Sequence, residues 1–213
     1  MKYPKIQTFY LRDPDTNYKT LLEGQFSMPE FAYLANNEWV FDEKIDGSNI
    51  RILYDGARNY IVYGGRTDRA QLPSQLIQNM DESGYSDVSR YRDVFGQASA
   101  TLFGEGYGAG IQKGGNYRAD QAFVLFDIFV GGFWLQREDL EDVARKMGFD
   151  IVPIIGSGSL FDMYEKTMRG FPSFWNEKVI AEGIVARPKC EMLSRNGERI
   201  ITKLKHKDFL WQK

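Results

Sequence analysis

Apolar positions in this chain alternate or cluster in short runs far more often than they recur at helical spacing. Trp39–Glu43, Ile50–Tyr54 and Tyr60–Tyr63 are rich in β-branched and aromatic residues, with Asp55-Gly56 as a turn. They predict a strand meander. Residues 1–38 read as an extended lead-in with a short helix near Pro29–Asn36, and residues 71–98 are mostly polar with weak helical spacing. Ala100–Phe103 is a short predicted strand. Gly106 to Gly115 holds five glycines and reads as a loop. Ala122–Val130 is the most apolar run and predicts a central strand, turned by Gly131-Gly132 into a second strand at Phe133–Gln136. Glu138–Met147 is the clearest helix, with acids in its first turn, Arg145 and Lys146 in its last and Gly148 as the stop. Ile151–Ile155, Val179–Ala186 and Arg199–Leu204 predict strands, and Leu160–Arg169 a helix. Strand-rich meanders with interspersed helices indicate an α+β fold with antiparallel sheets.

Composition narrows the chemistry. The 213 residues, 43% hydrophobic and 15% aromatic, can bury one good core, so a single globular domain is expected. One cysteine, Cys190, excludes an internal disulfide and fits a reducing compartment. One histidine, His206, excludes multi-histidine zinc sites. No apolar run approaches the roughly 18 residues of a membrane span, and the first residues lack a signal-peptide core. The reading is a cytoplasmic protein with no membrane partner. The net charge of −2 hides a gradient: Arg187 to Lys213 carries eight lysines and arginines against three acids. Local basic surface matters more for phosphate binding than the total.

The unusual chemistry lies in Phe41-Asp42-Glu43-Lys44-Ile45-Asp46-Gly47-Ser48-Asn49, where one lysine stands between carboxylates at the junction of two apolar strands. A half-buried lysine is costly without charged neighbours or a task. Nucleophilic attack on phosphorus or carbonyl is such a task, once the amine is shifted down from its ordinary pKa of about 10.4. Asp46-Gly47 also reads as an ordinary hairpin turn. Four more stretches place a charged or aromatic residue where packing would not choose it: Arg66, Glu105, Phe126-Asp127 with Glu182, and Lys203 with Lys205. The last pair has strand spacing, so both ammonium groups point to one face, where a triphosphate would offset their repulsion. The plain alternatives are core packing for Phe126, backbone acceptance for Asp127, a strand-end carboxylate for Glu105 and a surface cation for Arg66. His206 reads as an exposed neighbour. Lys113, Arg118, Arg187 and Lys189 read equally as surface cations or as contacts to a polynucleotide backbone.

These stretches, in this order, resemble the ATP-dependent ligases and mRNA-capping enzymes, a nucleotidyltransferase superfamily whose signature is Lys-x-Asp-Gly. The resemblance covers about residues 39 to 207 and is nearest to RNA ligase 2-type enzymes. It is carried by Glu38-Trp39-Val40, Lys44-Ile45-Asp46-Gly47 with Asn49, Phe103-Gly104-Glu105 running into a glycine-rich stretch, Phe126-Asp127-Ile128-Phe129, Glu182-Gly183-Ile184-Val185-Ala186-Arg187-Pro188 and Lys203-Leu204-Lys205. It implies an adenylation domain of antiparallel sheets with flanking helices, ATP-grasp-like. Lys44 would form a lysyl-adenylate, with Lys203 and Lys205 holding the α-phosphate. Glu43, Lys44, Ile45 and Asn49 would line the nucleotide, Glu105 would reach the ribose, Arg66 would reach ribose or phosphate, and Phe126 would stack on adenine. Glu182 and Asp46 would hold Mg²⁺ or Mn²⁺, usually through water. The resemblance implies ATP as co-substrate and RNA or DNA ends, a 5′-phosphate and a 3′-hydroxyl, as partners.

Two departures from the family pattern matter. The chain runs only eight residues past Lys205, so the C-terminal helical domain or OB-fold of such enzymes has no counterpart. A minimal enzyme, a catalytic piece, or a partner protein supplying the missing domain are the readings. A monomer is expected, in the cytoplasm, or in the host cytoplasm if the source is viral. Asp46 stands where RNA ligase 2-type members often have histidine, and leans toward DNA ligases, whereas Asn49 leans back toward RNA. The first reading is an RNA ligase. The alternatives are a DNA ligase, an mRNA guanylyltransferase-like enzyme, or a nucleotide- or nucleic-acid-binding module without activity.

Overall fold

The structure is a computed structural model that describes residues 1–113 and 116–210. In chain order the elements are β1 (Gln7–Thr8), β2 (Tyr10–Arg12), β3 (Leu21–Phe26), α1 (Pro29–Leu34), β4 (Trp39–Lys44), β5 (Ser48–Asp55), β6 (Tyr60–Gly65), α2 (Ser74–Glu82), α3 (Val88–Phe95) and β7 (Ala100–Gly108). Then come β8 (Gln121–Val130), β9 (Phe133–Trp134), α4 (Arg137–Met147), β10 (Ile154–Gly158), α5 (Leu160–Arg169), β11 (Gly183–Pro188) and β12 (Thr202–Lys205). Short 3₁₀ turns lie at Pro14–Thr16 and His206–Phe209. Among the described residues no helix is long and apolar enough to cross a membrane.

The contacts divide into two compact units. One is Met1–Tyr3 with Asp46–Val152; the other is Pro4–Ile45 with Pro153–Lys213. The first is built on an antiparallel sheet in the order β6-β5-β7-β8-β9. Alternation along β5 sends Ile50, Ile52 and Tyr54 to one face, where they pack with Leu76 and Met80 of α2, Tyr91 of α3 and Leu140, Val143 and Met147 of α4. The amphipathic spacing of α4 supplies its buried stripe, and Gly148 ends it in the left-handed region at φ 72°. The second unit is built on a sheet in the order β1-β12-β11-β4-β10, and a separate β2-β3 pair. One face of its large sheet, with Trp39, Phe41, Ile184, Ala186 and Leu204, packs on Phe31 and Leu34 of α1 and Leu160 and Met163 of α5.

Several expectations change. β4 and β5 do not pair, because they belong to different sheets, so Asp46-Gly47 is not a hairpin turn and only β5 and β6 of the predicted meander are neighbours. Residues 71–98 hold two helices, α2 and α3. The glycine-rich stretch is strand as far as Gly108, while Gly114 and Gly115, like Lys213 in the basic C-terminal run, lie outside the described residues. The expected strand Ile151–Ile155 is split: Ile151 bridges Leu125 in the first unit, and β10 starts at Ile154 in the second.

Candidate active site

In the second unit, β4, β11 and β12 place a set of charges on the face away from the apolar core. Gly183 of β11 is in register with Lys44 on one side and Lys205 on the other. Side chains on one face recur every second residue. Asp42 and Lys44 of β4, Val185 and Arg187 of β11, and Lys203 and Lys205 of β12 therefore share this face. Glu182, at the entrance to β11, reaches both flanking lysines: one carboxylate oxygen lies 2.6 Å from the Lys44 Nζ and the other 2.6 Å from the Lys205 Nζ. Gly183 is required at this point. A Cβ there would lie 2.0 Å from the Leu204 carbonyl oxygen and 2.8 Å from the Lys205 Cα, so any side chain would push β12 and its lysines away.

The electrostatics follow from burial. The Glu182 side chain is 9% exposed and those of Lys44 and Lys205 are 20% and 23%. Burial pushes the Glu182 carboxyl up, but the ammonium groups of Lys44 and Lys205 outweigh it and hold the group below its ordinary value. A buried carboxylate kept ionised by two cations is stable while both remain. Further along, Arg187 forms a buried ion pair with Asp42, so it is a fixed part of the sheet rather than a free surface cation. The face carries four cations against two carboxylates and suits an anionic ligand.

Glu43 differs from its neighbour. On the opposite face of β4, its buried carboxylate accepts from the Ser173 hydroxyl at 2.5 Å and the Phe174 N–H at 2.8 Å. Burial raises its pKa, only partly offset by those two hydrogen bonds. The Glu43 side chain thus lies on the face of β4 away from that of Lys44, because adjacent strand residues point to opposite faces. Ile45 is buried. His206 is half-buried, with Nδ1 2.9 Å from the Thr167 carbonyl oxygen, and is a structural residue rather than an exposed neighbour.

In the first unit, the sheet face opposite its core collects other chemistry. Asn49 of β5 is directly in register with Glu105 of β7, and Arg51 with Phe103. Across β7, Glu105 faces Val124 and Phe103 faces Asp127, with the register broken between Phe103 and Gly104. Leu125 pairs with Gly104 and Asp127 with Phe103, so Phe126 is the extra residue of a β-bulge. A bulge re-aims a side chain. Phe126 is accordingly half-buried, and Tyr3 meets it edge-on at 5.0 Å. Tyr3 also packs on Phe103 and Trp134, and its hydroxyl donates to Asp127 at 2.8 Å. Asp127 is fully buried and structural. One of its partners is a tyrosine 124 residues away in sequence.

Asn49 Oδ1 is buried with no hydrogen-bond partner, an acceptor awaiting a donor. Gly47 is fixed by closeness rather than by its torsions, because a Cβ there would stand 2.4 Å from the Gly106 carbonyl oxygen and 2.7 Å from Glu105 Cγ. Arg66 is exposed and Asp46 half-buried. Arg51, 3% exposed, was missed by sequence reading; it donates to the Met1 carbonyl at 2.7 Å and to Asp68 at 2.8 Å, pinning the N-terminus over this face. Arg118, a candidate backbone contact, is paired with Asp120 at 2.6 Å, and Lys189 with Glu38 at 2.9 Å. No group of three or more histidine, cysteine or acidic residues placed to cage a metal exists among the described residues.

The architecture is that of an α+β nucleotidyltransferase, antiparallel sheets with flanking helices. The chain belongs to the RNA ligase family, whose model matches residues 37–205. It is similar to an RNA ligase of Naegleria gruberi solved with pyrophosphate, at TM-score 0.71 and 16% identity, covering 100% of this chain and 58% of that one. Variants of that enzyme give TM-score 0.72 and 16% identity for one solved with ATP and manganese, and 0.71 and 15% for one with AMP and manganese, each covering 100% of this chain and 58% of the other. The chain therefore spans somewhat under three fifths of these relatives' length.

Proposed function

We propose that this chain carries the adenylyl-transfer chemistry of an ATP-dependent RNA ligase. The observation that carries the reading is the pairing of Lys44 and Lys205 with one buried carboxylate, Glu182, on a face shared with Lys203. Lys44 Nζ forms a P–N bond to the α-phosphate of ATP as the bond from that phosphorus to the pyrophosphate oxygen breaks. The AMP then passes to the 5′-phosphate of an RNA end, and attack by a 3′-hydroxyl forms the phosphodiester and releases AMP.

Phosphoryl transfer depends on placement and charge neutralisation. Lys203 and Lys205, held at strand spacing, are suited to take the charge that grows on the α-phosphate oxygens. Lys44 in its ion pair with Glu182 is the protonated, unreactive amine, so it must part from that carboxylate and lose its proton before attack. Lys205 stays on the other oxygen and keeps Glu182 from being left as an uncompensated buried charge. Glu182 would hold a divalent cation through water, and Mg²⁺ or Mn²⁺ would supply charge neutralisation to the triphosphate. On the first unit's sheet, Phe126 offers a ring to adenine, Glu105 an acceptor to ribose hydroxyls and Asn49 Oδ1 an acceptor to a nucleotide donor.

Intact mass after incubation with Mg²⁺ and ATP tests the reading. A gain of one adenylyl group, absent in Lys44→Ala, is expected. Labelling that persists in Lys44→Ala, or labelling by GTP instead of ATP, would overturn it. Joining of 5′-phosphorylated RNA in preference to DNA is the expected substrate choice.

A further inference from the structure

Three neighbouring strands of the first unit's sheet carry rings that meet one distant residue: Phe103 of β7, Phe126 of β8 and Trp134 of β9. Tyr3 meets each of them edge-on, at 5.1, 5.0 and 5.5 Å between ring centres and at 61°, 79° and 80° between planes. Edge-to-face pairs of this kind are favourable beyond the area they bury. Tyr3 is itself tied down at two points. Its hydroxyl donates to Asp127 at 2.8 Å. Two residues back, the Met1 carbonyl accepts from Arg51 at 2.7 Å, and the same guanidinium is paired with Asp68 at 2.8 Å. Arg51 faces Phe103 across β5 and β7, and Phe103 faces Asp127 across β7 and β8. Met1–Tyr3 is thus a strap laid across three strands of one unit.

Phe126 is the ring in this group that needs a fixture. In a regular strand, alternation decides which way a side chain points. Phe126 is the extra residue of the β7–β8 bulge, so no opposing residue sets its direction. It is half-buried, and a partly exposed ring has more than one staggered rotamer open to it. A stacking platform that must first choose a rotamer loses part of its binding free energy to that ordering. Asp127 is the next residue along the chain and is fully buried, so the hydroxyl bond anchors Tyr3 at a fixed point beside Phe126.

We propose that Tyr3 is a positioning residue for nucleotide recognition: it holds the Phe126 ring at one tilt, ready for adenine, and thereby sets the affinity for ATP rather than the rate of adenylyl transfer. The inference rests on the ligase reading, with Phe126 as the adenine-stacking ring, and deepens it by naming the residue that acts through that ring.

The test uses the full chain, with ATP and Mg²⁺ for single-turnover adenylylation and α,β-methylene-ATP, whose P–C bond blocks the transfer, for binding by calorimetry. Tyr3→Leu keeps apolar bulk and removes the ring; Tyr3→Phe keeps the ring and removes the bond to Asp127. Tyr3→Leu is expected to weaken analogue binding and raise the half-saturating ATP concentration about threefold, within the range of one edge-to-face pair, with the rate at saturation unchanged. Tyr3→Phe is expected to keep the wild-type affinity. Both variants take a hydrogen bond from buried Asp127, so both are expected to melt at a lower temperature. An affinity that fell in step with the melting temperature, in Tyr3→Phe as in Tyr3→Leu, would make Tyr3 structural only and overturn the inference. In a Phe126→Ala background Tyr3→Leu is expected to change the affinity no further; a full additional loss would overturn the inference too. So would tighter binding in Tyr3→Leu, which would show that the strap obstructs the ring. A wild-type chain that binds the analogue but takes up no AMP would sink the ligase reading, while the binding comparison would still decide the role of Tyr3. A wild-type chain that binds no analogue would overturn both.

Discussion

The two sheets handle their open faces in opposite ways. In the second unit the face is made of charge, with Lys44, Lys203, Lys205 and Glu182 exposed to each other and Arg187 locked to Asp42. In the first unit it is made of rings and neutral acceptors, with Tyr3, Phe103 and Trp134 packed around a re-aimed Phe126 and an unpartnered Asn49 Oδ1. In the proposed reaction the first kind of face would act on charge as it develops, and the second on a flat ring that is the same before and after. Differential stabilisation changes the chemical rate, and uniform binding changes how much substrate is required.

The largest expected effect sharpens this division. Lys205→Ala leaves Glu182 with one fewer partner and, on the proposed reading, removes a cation from the reacting phosphate. Single-turnover adenylylation is expected to fall by about 10²- to 10³-fold, the usual loss for one preorganised donor. A rise in the ATP requirement with an unchanged rate would break the comparison. Next comes Phe126→Ala, expected to raise the ATP concentration for half-maximal adenylylation by about tenfold through loss of stacking, with little change in rate at saturation. If the saturating rate fell instead, Phe126 would belong with the charged face.

The smallest effect concerns acid stability. Glu182 has a pKa in the fold below its unfolded value, so the unfolded state binds more protons and the group stabilises the fold above about pH 4.5. That contribution is lost as pH falls through the folded pKa. Glu43, raised by burial, works the other way: its contribution is greatest in acid and is lost as pH rises through its folded pKa. Thermal melts between about pH 6 and pH 3 are expected to show a shallower acid loss in Glu182→Gln than in wild type. Parallel curves would mean that the two lysines do not hold Glu182 ionised.

Much of the charged face was legible because its logic is local. Lys203 and Lys205 are two apart on a strand, and strand alternation places them together. The same rule applied one residue earlier separates Glu43 from Lys44. The aromatic face was harder to read. Tyr3 and Asp127 meet across 124 residues of sequence, and Arg51 binds the Met1 carbonyl, contacts that no window reveals. The orientation of Phe126 depends on one unpaired residue in the β7–β8 register, which becomes visible only when both strands are in place. The division into two sheets was hidden for a related reason: β4 and β5 look like consecutive strands of one meander, and what separates them is the choice of distant partners.

The second unit is assembled from two stretches that the whole of Asp46–Val152 separates in sequence. β4, which carries Lys44, finds its partners β10 and β11 more than a hundred residues later, and β12 is then joined on its far side by β1, from the opposite end of the chain. Pairings of such long sequence separation form slowly. On a ribosome, the first unit's sheet can complete its strands while Lys44 still waits without a neighbouring strand. The candidate nucleophile is therefore made before its surroundings: Lys44 gains its carboxylate partner only when Glu182 has been synthesised, and the flanking lysines only some twenty residues later.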